Sequence, residues 1–283
     1  MKKQFFITAV MLLGTGIAAL ASGLTASAPV RVASSADGLM APVWSPDGKM
    51  IAASGPSYTG IYVFNVDGTD AFCLTEAEGA GYKMAWSDDG SEIIGRTNLR
   101  EGVRVFHETR AWNLKDGKSR IVSAKSRSNA NPSTVASKVN LLKQMTENAA
   151  EVTSMVASLN EYAGSTVINP SLSPDGSMIA FQIVANGMFV INADGTGLHS
   201  LGLGSNPVWM PDNNTILYTV VSDNGSEYTA SRIMAVTIDD MKQQVVMNND
   251  SFIPVRPSVS ADGTRLAFEN ICDQAIYVVN LKK

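Results

Sequence analysis

The chain has few residues that ligate metals or cross-link. Its 283 residues include two cysteines and two histidines. Two cysteines make no disulfide framework. His107 and His199 fall beside different predicted strands, so no joint metal site is expected of them and no cofactor is implied. No Gly-x-Ser-x-Gly occurs, which removes the nucleophile elbow of a serine hydrolase. Basic residues are also scarce, 22 Lys and Arg against 26 Asp and Glu for a net charge of −4. They form no cluster that would hold a phosphate backbone, so nucleic acid is not an expected partner. Arg96, Arg100, Arg104, Arg110 and Arg120 are spread along one stretch and read as solvated strand edges. The acidic group Glu76, Glu78, Asp88 and Asp89 reads as a solvated loop rather than paired acid and base.

Long apolar runs are confined to the N-terminus. Lys2 and Lys3 precede an uncharged apolar stretch from Phe5 to Leu20, and Ala19-Leu20-Ala21 is a small-x-small cleavage pattern. Residues 1–21 thus read as a secretory signal peptide, cut near Ala21 to leave a mature chain from Ser22. No transmembrane segment is expected after cleavage, and the destination is periplasmic. An exported chain meets an oxidising compartment, yet Cys73 and Cys272 fall in different strands of the first and last repeats, and the expectation is two separate buried thiols.

What the sequence does have is a repeat. Five times a short apolar strand enters a Pro-Asp-Gly-like turn: Pro42 to Gly48, Met84 to Gly90, Pro170 to Gly176, Pro207 to Asn213 and Pro257 to Gly263. The turn residue recurs at 48, 90, 176, 213 and 263, a period of about 43 residues, which suits one four-stranded propeller blade. In Ser45-Pro46-Asp47-Gly48 the proline presets φ, the aspartate bonds nearby backbone and the glycine supplies the left-handed residue. These aspartates are turn formers, one per blade, and not a catalytic or calcium constellation. Third strands such as Ile61 to Asn65 and Met188 to Asn192 are apolar on both faces, as a sheet between two sheets requires. Trp44, Trp86 and Trp209 precede the turn in three copies and read as wedges between blades. Only three residues follow Asn280, so the last blade lacks a fourth strand, and Val30-Arg31-Val32 is expected to supply it and close the ring.

The interval between Gly90 and Gly176 is twice the period. About 124–168 is therefore a degenerate blade or an insertion. Val135, Val139, Leu142, Ala149, Val152, Val156 and Leu159 recur at near-helical spacing, while Glu151 to Val156 can alternate as a strand. The expected fold is all-β, a six-bladed propeller of four-stranded blades filling 22–283 as a single domain, with five blades and a helical insertion as the alternative.

The pattern Pro-x-Trp-Ser-Pro-Asp-Gly-Lys-x-Ile-Ala at Pro42 to Ala52, followed by Ile61 to Thr69 and Leu74-Thr75, resembles the WD40-like (PD40) repeat of TolB-like propellers. The resemblance covers most of 30–283. It implies a periplasmic ring that binds an envelope protein. The α/β domain that precedes the propeller in TolB has no room here.

Function is then expected to be recognition without catalysis: a monomeric, exported scaffold for an envelope protein or a glycan, with a carbohydrate-binding or carbohydrate-active propeller as the alternative. Loops that join second to third strands, and fourth strands to the next blade, share one face. Tyr58, Tyr82 and Tyr228 lie there amid Gly and Ser and are the partner-binding candidates; no catalytic or metal residue is nominated.

Overall fold

The computed structural model describes residues 23–126, 132 and 137–283; the signal-peptide reading of 1–21 lies outside them. Two short N-terminal strands, β1 (Thr25–Ala26) and β2 (Val30–Ala33), precede five blades. Blade 1 is β3 (Met40–Trp44), β4 (Met50–Ser54), β5 (Ile61–Asn65) and β6 (Phe72–Thr75). Blade 2 is β7 (Ala85–Trp86), β8 (Glu92–Glu101), β9 (Arg104–Asn113) and β10 (Ser119–Ser126). Two short helices follow, α1 (Asn140–Glu147) and α2 (Val152–Met155). Blade 3 is β11 (Val167–Leu172), β12 (Met178–Ile183), β13 (Gly187–Asn192) and β14 (His199–Gly202). Blade 4 is β15 (Ser205–Trp209), β16 (Thr215–Asp223), β17 (Tyr228–Thr237) and β18 (Gln243–Asn248). Blade 5 is β19 (Pro254–Val259), β20 (Arg265–Asn270) and β21 (Ala275–Lys282). Each blade is an antiparallel meander.

The fold is therefore an all-β, five-bladed propeller, which corrects the six-bladed expectation. No strand lies between Ser126 and Val167 among the described residues. The segment is helical because its apolar residues recur at three and four: Leu141, Leu142 and Met145 of α1, with Val152 and Leu159 beyond it, are all buried. They cover Ile179, Phe181, Phe189 and Ile191 on one face of blade 3. Tyr162 meets Phe189 edge-on at 4.9 Å, and Ser158 Oγ donates to the Gly195 carbonyl at 2.7 Å. The helices thus occupy the stretch of chain where a sixth blade was expected and pack on blade 3.

Closure follows the sequence reading. Val30 pairs with Val278 and Arg31 with Tyr277, and β1 continues the same edge by pairing Thr25 with Lys282. The chain ends are zipped together and the open edge of β21 is covered.

The turns are built as their chemistry demands. Ser45 Oγ donates to Asp47 Oδ1 at 2.7 Å and accepts from the Met50 N–H at 2.9 Å, while the Lys49 N–H reaches the same carboxylate oxygen at 3.0 Å. Ser87–Asp89, Ser173–Asp175 and Ser260–Asp262 repeat this arrangement at 2.7, 2.7 and 2.5 Å. The residue that closes each hairpin has positive φ, Asn213 replacing glycine in blade 4 at 56°. These bonds favour the ionised acids, holding Asp89 and Asp262 down to about 2, with the serine hydroxyl the largest cause in both.

Between blades the core is a repeated apolar layer. Ile51, Ile93, Ile179, Ile216 and Leu266, one per second strand, have no exposed surface. Full burial of such a side chain contributes ~1.5–3 kcal/mol. The tryptophans link adjacent blades: Trp44 Nε1 donates to the Ser258 carbonyl, Trp86 Nε1 to Val43 and Trp209 Nε1 to Ser171, at 2.9, 3.1 and 2.9 Å. Each fixes an inner strand to its predecessor in the ring.

Candidate functional site

The five inner strands converge on a cavity of about 300 Å³ along the axis. Its lining follows from one backbone irregularity repeated five times. Ala41, Lys83, Asn169, Asn206 and Arg256 stand at equivalent positions, and all have φ between 50° and 53°. In four blades the inner strand is also bulged there, with register shifts between Met40 and Val43, Ile168 and Ser171, Ser205 and Val208, and Val255 and Ser258. A bulge sets two residues against one, bends the strand and re-aims a side chain. Left-handed backbone is uncommon for alanine, lysine and arginine, and such conformations concentrate at functional sites. Proline follows the bulged residue in four blades, Pro42, Pro170, Pro207 and Pro257, removing an N–H that the broken ladder could not satisfy.

A second polar position recurs one step outward, at the same place in each second strand: Ser54, Arg96, Gln182, Thr219 and Glu269. Two of these serve the next blade's bulge. Gln182 Oε1 accepts from the Asn206 N–H and Glu269 Oε2 from the Ala41 N–H, both at 3.2 Å. The polar side chain of one blade thus satisfies a backbone donor that the bulge of its neighbour frees.

Around the axis the side chains form a connected arc. Lys83 Nζ donates to Asn169 Oδ1 at 2.7 Å, Asn169 Nδ2 donates to Gln182 Oε1 at 2.8 Å, and Asn169 Nδ2 also reaches Asn206 Oδ1 at 3.3 Å. Opposite, Arg256 Nη1 donates to Glu269 Oε2 at 2.7 Å, and the Arg256 side chain is hydrogen-bonded to Tyr58. Burial raises the Glu269 carboxyl above the ordinary range, although Arg256 pulls the other way. Burial, aided by the Arg256 charge, pushes the Lys83 ammonium down to about 8. Two cations and no carboxylate line the cavity wall itself.

Of the expected contact residues, two are brought together. Tyr58 lines the cavity, and Tyr82 meets it edge-on with ring centroids 5.3 Å apart. The Arg96 guanidinium lies over the Tyr82 ring at 4.0 Å. Tyr228 stands apart, 47% exposed in the hairpin between β16 and β17, beside a different recess with Asp223, Ile253 and Cys272. Lys83, Asn169, Asn206, Arg256, Gln182 and Glu269 were not nominated from sequence. The signal was present, since four repeats carry an x-Pro pair where the strand begins.

Cys73 and Cys272 are free thiols, the first half-buried and the second exposed, so the expectation of a buried Cys272 is corrected. His107 Nδ1 lies 3.0 Å from Asn98 Oδ1 within blade 2, while His199 is exposed on β14. No group of three or more His, Cys, Asp or Glu could hold a metal among the described residues. No helix among them is long and apolar enough to cross a membrane.

Similarity among solved structures extends along most of the chain. TolB from Acinetobacter baumannii is 13% identical, with 88% of this chain and 56% of that one covered and a TM-score of 0.40. The protein is a β-propeller, a fold similar at low identity to that of TolB. The chain spans little more than half the length of that TolB. Oligogalacturonate lyase from Vibrio parahaemolyticus is 10% identical, with 91% and 96% covered and a TM-score of 0.47. The tricorn protease is 11% identical, with 85% and 25% covered and a TM-score of 0.35. No family model matches, and no curated relative does. Enzymes share this grade of likeness with TolB, so the flat expectation that the chain is not an enzyme is corrected: the fold excludes no catalysis.

Proposed function

We propose that the protein is an exported binding propeller that takes a small hydrophilic ligand, of carbohydrate type, into its axial cavity from the face bearing Tyr58. The observation that carries this reading is the left-handed residue repeated in all five blades, which presents Lys83, Asn169, Asn206 and Arg256 at a single cavity. Carboxamides and charged groups offer donors and acceptors to ring hydroxyls, and the Tyr58–Tyr82 pair supplies an aromatic wall at the rim. The volume of about 300 Å³ lies at the small end of ligand pockets and suits one or two sugar units, or the terminus of a longer chain.

A second reading, capture of an envelope protein, is favoured by the long hairpins of blades 2 and 4. Their strands of nine or ten residues exceed those of the other blades, and they extend the face on which Tyr58 and Tyr228 lie. The basic start and apolar run of residues 1–21 support export to the periplasm in either case.

The test is calorimetric titration of the full chain with a panel of neutral and acidic oligosaccharides, with product analysis in parallel to register turnover. Binding that Tyr58→Ala and Asn206→Ala weaken, with melting temperatures retained, supports the carbohydrate reading. Binding of sugars that is indifferent to both substitutions contradicts it.

A further inference from the structure

Within that same cavity, and resting on the reading that it is a binding site, the geometry points to a recognition centre for a compact oxyanion, a carboxylate or phosphate group, seated on Lys83 and facing Arg256. The lysine side chain comes from the loop between β6 and β7 and makes one hydrogen bond, to Asn169 Oδ1. An ammonium carries three donors. Two remain without a protein acceptor among the described residues, and no carboxylate lies within ion-pair distance of Lys83 there. Glu269, which neutralises Arg256, is held behind it by the Ala41 N–H and is 6% exposed. Of the two cations, only Arg256 has an ion-pair partner among the described residues.

The contrast with the rest of the molecule sharpens the case. The whole chain carries a net charge of −4, yet the cavity wall bears two cations and no acid. A concave positive site in an acidic protein focuses the field and enriches anions where the walls exclude water. A desolvated ammonium with spare donors is unstable without a partner, and an oxyanion supplies both the charge and the acceptors. The depressed lysine pKa agrees with a desolvated cation beside a second cation.

The full chain is titrated with sodium acetate and with inorganic phosphate at constant ionic strength, following melting temperature and heat of binding, beside glucose as a neutral probe. The wild-type chain should show saturable binding of at least one anion. Lys83→Met should weaken it about tenfold or more, as loss of a charge-assisted hydrogen bond does. Lys115→Met, at an exposed turn, should leave it unchanged. Lys83→Gln serves as a second variant and should lose anion binding while keeping the bond to Asn169. The anion that binds more tightly tells whether a carboxylate or a phosphate is the natural group. Absence of saturable binding by either anion overturns the inference, as does full binding by the Met and Gln variants. Glucose binding with no anion effect removes the inference and leaves the carbohydrate reading. A Lys83-dependent anion effect without any binding of sugars keeps the inference and removes that reading.

Discussion

Replacing Lys83 by methionine should make the free protein more stable. The ammonium is recessed beside Arg256, and its pKa falls from the ordinary 10.5 to about 8. Each unit corresponds to about 1.4 kcal/mol, so keeping this lysine charged at neutral pH costs roughly 3 kcal/mol. Methionine fills a similar volume without charge. The Asn169 carbonyl loses one donor, which costs about 1 kcal/mol and less where water reaches it. The net gain is roughly 1–2 kcal/mol, a rise in melting temperature of about 2–6 °C for a domain of this size. The pH dependence carries a sign. Between pH 8 and 10.5 the unfolded state holds the proton that the folded state has released, so wild-type stability rises with pH through that window. Tyr58 and Arg256 line the cavity with this lysine, Glu269 pairs with Arg256, and all three are common to both proteins, as are the remaining lysines, so they cancel in the difference between the two profiles. The assay is thermal denaturation of both proteins from pH 6 to 11 without added anions. The stability advantage of Lys83→Met should be full near pH 7, shrink by roughly 3 kcal/mol across this window and so vanish before pH 10.5 and reverse there. A variant less stable than wild type at pH 7, or a difference that does not change with pH, refutes the reasoning.

Glu269→Ala strands Arg256 and the Ala41 N–H and should cost about 2–4 kcal/mol, less than a fully buried pair because Arg256 is 34% exposed. That is a fall of roughly 5–10 °C in melting temperature; Glu269→Gln, which keeps an acceptor for Ala41, should fall less. Asp89→Asn with Asp262→Asn should flatten the acid limb of the stability profile. Their folded pKa values near 2 lie below the ordinary 3.8, so their contribution is present above pH 3.8 and is lost as pH falls toward 2. Trp209→Phe removes the bond to the Ser171 carbonyl and should cost about 1–2 kcal/mol by chemical denaturation. A chain beginning at Ser34 lacks β2, exposes the edge of β21 and should aggregate or melt well below the full chain, measured by light scattering and calorimetry.

Much of the architecture is legible because it is encoded locally. Pro-Asp-Gly specifies its hairpin within a few residues, and the structure uses the aspartate and the glycine as the sequence implies, while the serine hydroxyl that braces the carboxylate was not foreseen. The missing fourth strand of the last blade likewise announced its replacement by Val30 to Val32. The middle of the chain misled for a physical reason: the interval between β10 and β11 has about the length of one blade, and residues such as Glu151 to Val156 satisfy both periodicities until the tertiary partner decides. Blade 3 decides, by offering Ile179, Phe181 and Phe189 as a surface for Leu142 and Met145. The axial site was hidden because it belongs to no single segment. Lys83, Asn169 and Arg256 are separated by 86 and 87 residues in the chain and meet only when the ring closes. The recurring x-Pro step marked the bulges, yet proline reads first as a strand boundary, and only the shared positive φ shows that the residue before it turns to the axis.

The central claim is a desolvated, uncompensated ammonium on the propeller axis. Its most direct test is an NMR titration of the Lys83 side chain in the anion-free protein, using 13Cε-labelled lysine and Lys83→Met for assignment. The account predicts a midpoint of about 8. A midpoint at the ordinary 10.5 would contradict it.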